Sequence, residues 1–262
     1  MYTPLKPAQT NQHTKSRRSF LGKSAAALAL IPLLSAHALV TAAETNPGQQ
    51  TGNPMAYVYT ELQISTPFDQ IPWQRINQDI KQQPGFLNKT WLSGVGNGSG
   101  GGFYAFDSVA HAQQFVTDYF PNEAKGFGVA QTTRVFDASV TESASRDMNS
   151  VYYGNTPATK PGAYVYTEVQ LNVTPFDNGP WRDINPKLKK QPGLLSKTWL
   201  SGLHTGTPGG FYAFDTVENA QKFAVEYFPQ EAKSLNAAFY TRVFDATATE
   251  QASRAMQSPF YN

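Results

Sequence analysis

Ala56-Tyr57-Val58-Tyr59-Thr60-Glu61 decides the reading of this chain, because it returns as Ala163-Tyr164-Val165-Tyr166-Thr167-Glu168. Within it, Tyr57, Tyr59 and Glu61 alternate with Val58, Thr60 and Leu62, the period of two that marks a β-strand. Working outward, Lys89-Thr90-Trp91-Leu92-Ser93-Gly94 recurs as Lys197 to Gly202, Gly101 to Asp107 as Gly209 to Asp215, and Arg134 to Ala138 as Arg242 to Ala246. The offset is 107 positions before Thr66 and 108 after it. That period is far longer than the ~20–50 residues of a solenoid unit and matches a complete small domain. The chain therefore reads as one domain written twice, a dimer fused into a single polypeptide.

Each copy alternates legibly. After the first strand, Asp69 can cap a helix carrying Trp73, Ile76 and Ile80, stopped at Pro84-Gly85. Its second-copy counterpart carries Trp181, Ile184 and Leu188, and Pro186 is expected to break it. Phe86 to Ser93 and Gly102 to Asp107 form a hairpin around a glycine-rich loop. Asp107 or Ser108 then caps a helix with Val109, Ala112, Val116 and Tyr119 at helical spacing, Pro121 opens a further turn, and a last strand runs from about Ala130 to Asp137. The order β-α-β-β-α-β is the ferredoxin-like split motif. The expected domains are 55–150 and 162–258, joined by a linker at 151–161.

Two helices cover only one face of a four-stranded sheet. Val58, Leu62 and Ile64 are expected beneath them. The opposite face would present Tyr57, Tyr59 and Glu61 and, by alternation, Lys89 and Trp91. An aromatic face of that size is buried most simply against its equivalent in the other copy, so the fold class expected is α+β, with the two copies pairing as an intramolecular barrel and no obligate homodimer.

The N-terminal segment carries a different signal. Ser16-Arg17-Arg18-Ser19-Phe20-Leu21 reads as a twin-arginine export motif, followed by an apolar run from about Ala25 to Leu34 and by small residues at Ala36-His37-Ala38 and Thr41-Ala42-Ala43 suited to cleavage. Residues 1–43 are expected to be removed, leaving a periplasmic or secreted protein that crosses the membrane folded. Ser35, His37 and Thr41 interrupt the run before the ~18–20 apolar residues of a membrane span. The whole chain has 21 Lys and Arg against 19 Asp and Glu. Five of those bases and none of the acids precede Glu44, so the remainder carries a net charge of −3. Nothing in that balance suggests nucleic acid as a partner. The absence of cysteine excludes disulfides and thiolate chemistry together.

Ile76-Asn77-Gln78, Gln83-Pro84-Gly85-Phe86-Leu87, Lys89-x-Trp91, Gly101-Gly102-x-Tyr104-x-Phe106 and Val135-Phe136-Asp137 resemble the YdhR-like mono-oxygenases of the dimeric α+β barrel superfamily. The resemblance runs along both copies and implies a small-molecule pocket and oxygenation of an electron-rich aromatic or quinol-type compound without a metal or cofactor. The chain departs from the family's quinone-forming members, which place Asn and Trp where Gly102 and Phe106, and Gly210 and Phe214, stand here. It also duplicates neither His111 nor His204, so no haem ligand is repeated.

Cofactor-free oxygenation needs a base to ionise the substrate, a cation to hold the anion, and a dry pocket. Glu61 and Glu168 are candidate bases. Lys89 and Lys197, or Arg134 and Arg242, could hold the anion. Tyr59, Trp91, Tyr166 and Trp199 could line a pocket and stack on a flat substrate. Alternatively the charges pair across the two copies and the aromatics are core, leaving a ligand-binding or purely structural pseudodimer. A functional pocket is expected to occur twice, with Tyr59, Glu61, Lys89, Trp91 and Arg134 near one and their mates near the other.

Overall fold

The computed structural model describes residues 52–261. The Ser16–Leu21 motif and its cleavage region lie outside the described residues. The first copy comprises β1 (Ala56–Leu62), α1 (Trp73–Lys81), β2 (Phe86–Ser93), β3 (Gly100–Phe106), α2 (Val109–Gln114), α3 (Phe120–Phe127) and β4 (Gln131–Asp137), followed by a short helix α4 (Glu142–Asp147). The second repeats it as β5 (Ala163–Val169), α5 (Trp181–Leu188), β6 (Leu194–Ser201), β7 (Pro208–Phe214), α6 (Val217–Lys222), α7 (Phe228–Ser234), β8 (Phe239–Asp245) and α8 (Glu250–Arg254). Both units are ferredoxin-like, with antiparallel sheets ordered β2-β3-β1-β4 and β6-β7-β5-β8.

β1 is buried on both sides because two different cores flank it. Val58 and Leu62 lie under the helices with Ile76, Ile80, Phe115 and Phe120. Tyr57 and Tyr59 face the other copy, in a core shared with Phe103, Phe136, Tyr164, Tyr166, Phe211 and Phe244. Phe103 stacks on Phe211 with centroids 4.3 Å apart, and Tyr59 on Tyr166 at 3.9 Å. Such pairs add ~0.5–1.5 kcal/mol each beyond area burial.

The sheets do not close into the expected barrel. Each remains a separate four-stranded sheet. Between them run isolated bridges, Gly94 to Phe244 and Phe136 to Gly202, just beyond the ends of β2 and β6. The physical reason is an exchange of arms. The segment after β8 crosses to the first copy, where the Met256 carbonyl accepts from Lys89 N–H and Ser253 Oγ from Trp91 N–H. The segment after β4 does the same for Lys197 through Met148 and for Trp199 through Ser145. Ser258 meets Thr90 at 2.8 Å and Ser150 meets Thr198 at 2.8 Å. These arms take up the outward N–H groups of β2 and β6, the edges that closure would need.

Two local expectations are also corrected. Asp69 lies in a separate short turn, and α1 starts at Trp73 with no side-chain cap. α5 runs through Pro186. The lost hydrogen bond falls on the exposed side of that helix. Between α2 and α3 the turn widens, with Phe120 N–H bonding to the Phe115 carbonyl five residues back. The same happens at Phe223 and Phe228. Pro121 and Pro229, lacking N–H, favour this local widening, which puts both phenylalanines of each pair on the sheet side.

Candidate functional site

The predicted polar set does not gather at one pair of pockets. It divides between the two faces of each sheet. A bulge explains the division: β2 pairs Phe86 with Phe106 but then Asn88 with Ala105, so Leu87 is an extra residue, and Leu195 is its equivalent in β6. One extra residue inverts the alternation of everything after it. Lys89 and Trp91, expected between the copies, therefore stand opposite Tyr104 and Gly102 on the helix side, as do Lys197 and Trp199 opposite Tyr212 and Gly210.

Between the copies, Glu61 and Glu168 are buried and fully engaged. Glu61 accepts from Tyr59 at 2.9 Å and, from β8 of the other copy, Tyr240 at 2.6 Å and Arg242 Nε at 3.2 Å. Glu168 accepts from Tyr166 at 3.0 Å, Thr207 at 3.0 Å and Arg134 Nε at 3.1 Å. Burial alone would push the Glu61 carboxyl up. Hydrogen bonds from Tyr240 and Tyr59, with the Arg242 charge, outweigh that and hold it below its ordinary value. A carboxylate so satisfied is a poor proton acceptor.

The helix side is different. Lys89 and Lys197 are buried, and neither is in an ion pair among the described residues. Lys197 Nζ sits 2.8 Å above the centre of the Trp199 indole and 4.9 Å from that of Tyr212. Lys89 repeats this over Trp91 and Tyr104 at 2.9 and 4.9 Å. The indoles are fixed from behind: Trp199 donates to Asn185 and Trp91 to Asn77, both at 2.8 Å. Gly210 makes room for the ammonium stem, since a Cβ there would stand 2.7 Å from Lys197 Cε. Each lysine shares its cavity with a glutamate, Glu231 from α7 or Glu123 from α3.

Burial pushes the Lys197 ammonium well below its ordinary value, opposed in part by Glu231. Burial likewise raises Glu231. An indole face returns ~2 kcal/mol or more to a desolvated cation, against a shift of up to ~3–5 pKa units from full burial. The net direction is downward, toward the neutral amine. Lys89 moves in the same direction for the same reason.

The copies differ in room. The Lys197 cavity is about 50 Å³, walled by Phe176, Trp181, Ile184, Trp199, Tyr212 and Phe228. The Lys89 cavity is about 20 Å³. In the first copy Thr60 Oγ1 meets the Tyr104 hydroxyl at 3.3 Å. In the second, the corresponding Thr167 Oγ1 is buried in the cavity wall, and its contact with the Tyr212 hydroxyl falls outside hydrogen-bond geometry. Glu123, Glu231, Asn77 and Asn185 did not emerge as site residues from sequence. The retained Phe-Pro-x-Glu-Ala-Lys of Phe120–Lys125 and Phe228–Lys233 was the available signal for the two glutamates. Among the described residues no group of three His, Asp or Glu is placed to hold a metal, and no helix is long and apolar enough to cross a membrane.

Similarity to known proteins points the same way at the level of fold. The family model described as "Putative mono-oxygenase ydhR" matches residues 63–148, most of the first copy. An anthrone oxidase-like protein of known structure is 15% identical, with a TM-score of 0.52 over 73% of this chain and 91% of its own. A putative monooxygenase from Lactobacillus acidophilus is 8% identical (TM-score 0.43; 72% and 93% covered). A monooxygenase-like protein from Listeria innocua is 10% identical (TM-score 0.41; 73% and 94% covered). No functionally curated protein matches the chain. Fold and family model together define the class: a ferredoxin-like tandem protein similar to the YdhR-type mono-oxygenases.

Proposed function

We propose that this protein is an oxygenase whose reacting centre is the Lys197 cavity of the second copy, with a neutral amine as its base. The observation that carries the reading is a buried lysine, unpaired among the described residues, in an aromatic-walled cavity opposite a raised carboxyl. The substrate class to try is an activated aromatic, an anthrone or hydroquinone type, by analogy with the fold relative. With an anthrone, Lys197 takes a proton from the acidified methylene carbon. The carbanion passes an electron to dioxygen and recombines with it as a peroxide. The peroxide loses water as Lys197 returns its proton, so one methylene group and one dioxygen become one ketone and one water. Trp199 and Glu231 stabilise the ammonium in between.

At about 50 Å³, the cavity is smaller than the ~300 Å³ of common small-molecule sites. A fused aromatic must displace lining side chains such as Leu171, Val173, Pro180 and Leu235. The same tightness favours a second reading, a pseudodimer without turnover. Oxygen uptake with a panel of anthrones and hydroquinones decides between them: consumption stoichiometric with ketone or quinone supports the oxygenase, and binding without uptake supports the second. Export by the twin-arginine route, with removal of residues 1–43, completes the proposal.

A further inference from the structure

We infer that Lys197 is also a carbonyl-capturing nucleophile, and that the cavity around it takes a short-chain aliphatic aldehyde as a Schiff base. The inference rests on the uncharged amine of the reading above but needs neither oxygen nor an aromatic substrate.

Size comes first. One water needs roughly 10–15 Å³ of such space, so the 50 Å³ around Lys197 admits about three or four heavy atoms and no aromatic ring without rearrangement. The 20 Å³ beside Lys89 holds about one water by the same measure. Chemistry comes second. Three polar groups meet in an otherwise apolar chamber: the Lys197 amine, the Glu231 carboxyl and the Thr167 hydroxyl, whose contact with Tyr212 falls outside hydrogen-bond geometry. A buried hydroxyl so weakly bonded costs free energy, and an aldehyde oxygen would relieve that cost. The indole beneath Nζ, held by Asn185, limits where the amine can swing.

The step balances without a co-reactant. Nζ adds to the carbonyl carbon, and the oxygen takes the Glu231 proton as the nitrogen gives one back. The resulting hydroxyl leaves as water with a second proton delivered the same way. Aldehyde and amine become imine and water, with Glu231 restored. The carboxyl is the group placed for both proton transfers, because it shares the cavity with Nζ and burial moves it toward its protonated form.

The test is anaerobic reductive trapping of the folded protein at pH 7 with acetaldehyde and cyanoborohydride, followed by peptide mass mapping. A lysine free in water is uncharged in only about one molecule in a few thousand at pH 7, and Lys222, exposed on α6, serves as the comparison. Lys197 is therefore expected to gain its ethyl group about tenfold or more faster than Lys222, with Lys89 lagging behind Lys197 and benzaldehyde sparing both. Glu231→Gln should slow capture at Lys197 about tenfold or more and leave Lys222 unchanged. Capture at Lys197 no faster than at Lys222, or equal at Lys197 and Lys89, overturns the inference. So does a folded Glu231→Gln variant labelled at the wild-type rate. If that variant does not fold, the wild-type ratio of Lys197 to Lys89 and Lys222 decides alone. Trapping without oxygen uptake removes the oxygenase reading and leaves this one standing. Uptake without trapping does the reverse.

Discussion

Glu61→Gln separates a structural carboxylate from a catalytic one. In the folded chain Glu61 Oε2 receives both the Tyr59 and Tyr240 hydroxyls, and Oε1 receives Arg242. A carboxamide removes the charge Arg242 faces and replaces one acceptor with a donor. Breaking a buried ion pair from one side costs about 3–5 kcal/mol. The Arg242 side chain is 32% exposed, so water solvates it in part and the low end applies or less. The cheaper amide orientation keeps an oxygen at Oε2, so both phenols stay bonded and an N–H group faces Arg242 in place of its acceptor, at about 1–3 kcal/mol. The expected net loss is about 2–4 kcal/mol. Glu168→Gln should cost less, about 1–2 kcal/mol, because Arg134 is 45% exposed and a single phenol bonds that carboxylate. Urea unfolding followed by tryptophan fluorescence measures both, with oxygen uptake recorded on the same samples. If Glu61→Gln unfolds within about 0.5 kcal/mol of wild type, as a neutral surface change would, while turnover vanishes, the carboxylate is the base and the pairing argument fails.

Cutting the linker between Gly154 and Gly162 with an inserted protease site should leave the halves eluting together, since each arm is hydrogen-bonded to the other copy. Separation into half-sized species would contradict the exchange. Stability should also fall in acid. The folded Glu61 carboxyl is held below its unfolded value, so its contribution is complete above about pH 4.3 and is lost as pH falls through the folded value. Thermal unfolding from pH 7 down to 3 should be steeper in wild type than in Glu61→Gln, and parallel curves would refute the assignment. N-terminal sequencing of exported protein should start between about Leu39 and Glu44, and an intact Met1 would argue for an anchor.

The strands, the duplication and the helix-side set Val58, Leu62 and Ile64 were legible because period-two alternation and an internal repeat are properties of the sequence itself. Arg134 was placed correctly on the face away from Val135 for the same reason. Lys89 and Trp91 were misplaced because nothing in Phe86-Leu87-Asn88 announces a bulge: no glycine or proline marks it, and only the register with Ala105 reveals it. The exchanged arms were unreadable for another reason. α4 and α8 are six and five residues long, too short to be stable helices alone, and are ordered by partners on the other copy. Glu231 carries no sequence signal of a cavity position; it lies on α7, which the widened turn at Phe223–Tyr227 precedes.

Oxygen uptake by Lys197→Met, compared with wild type on the most reactive compound of the anthrone and hydroquinone panel, tests the central claim most directly. Methionine keeps the stem over Trp199 and deletes the amine. The account predicts a loss of about a hundredfold or more in turnover, the share of a positioned general base, with thermal stability equal to or above wild type because a buried amine is gone. A folded variant that consumes oxygen at the wild-type rate would place the reacting group elsewhere and contradict it.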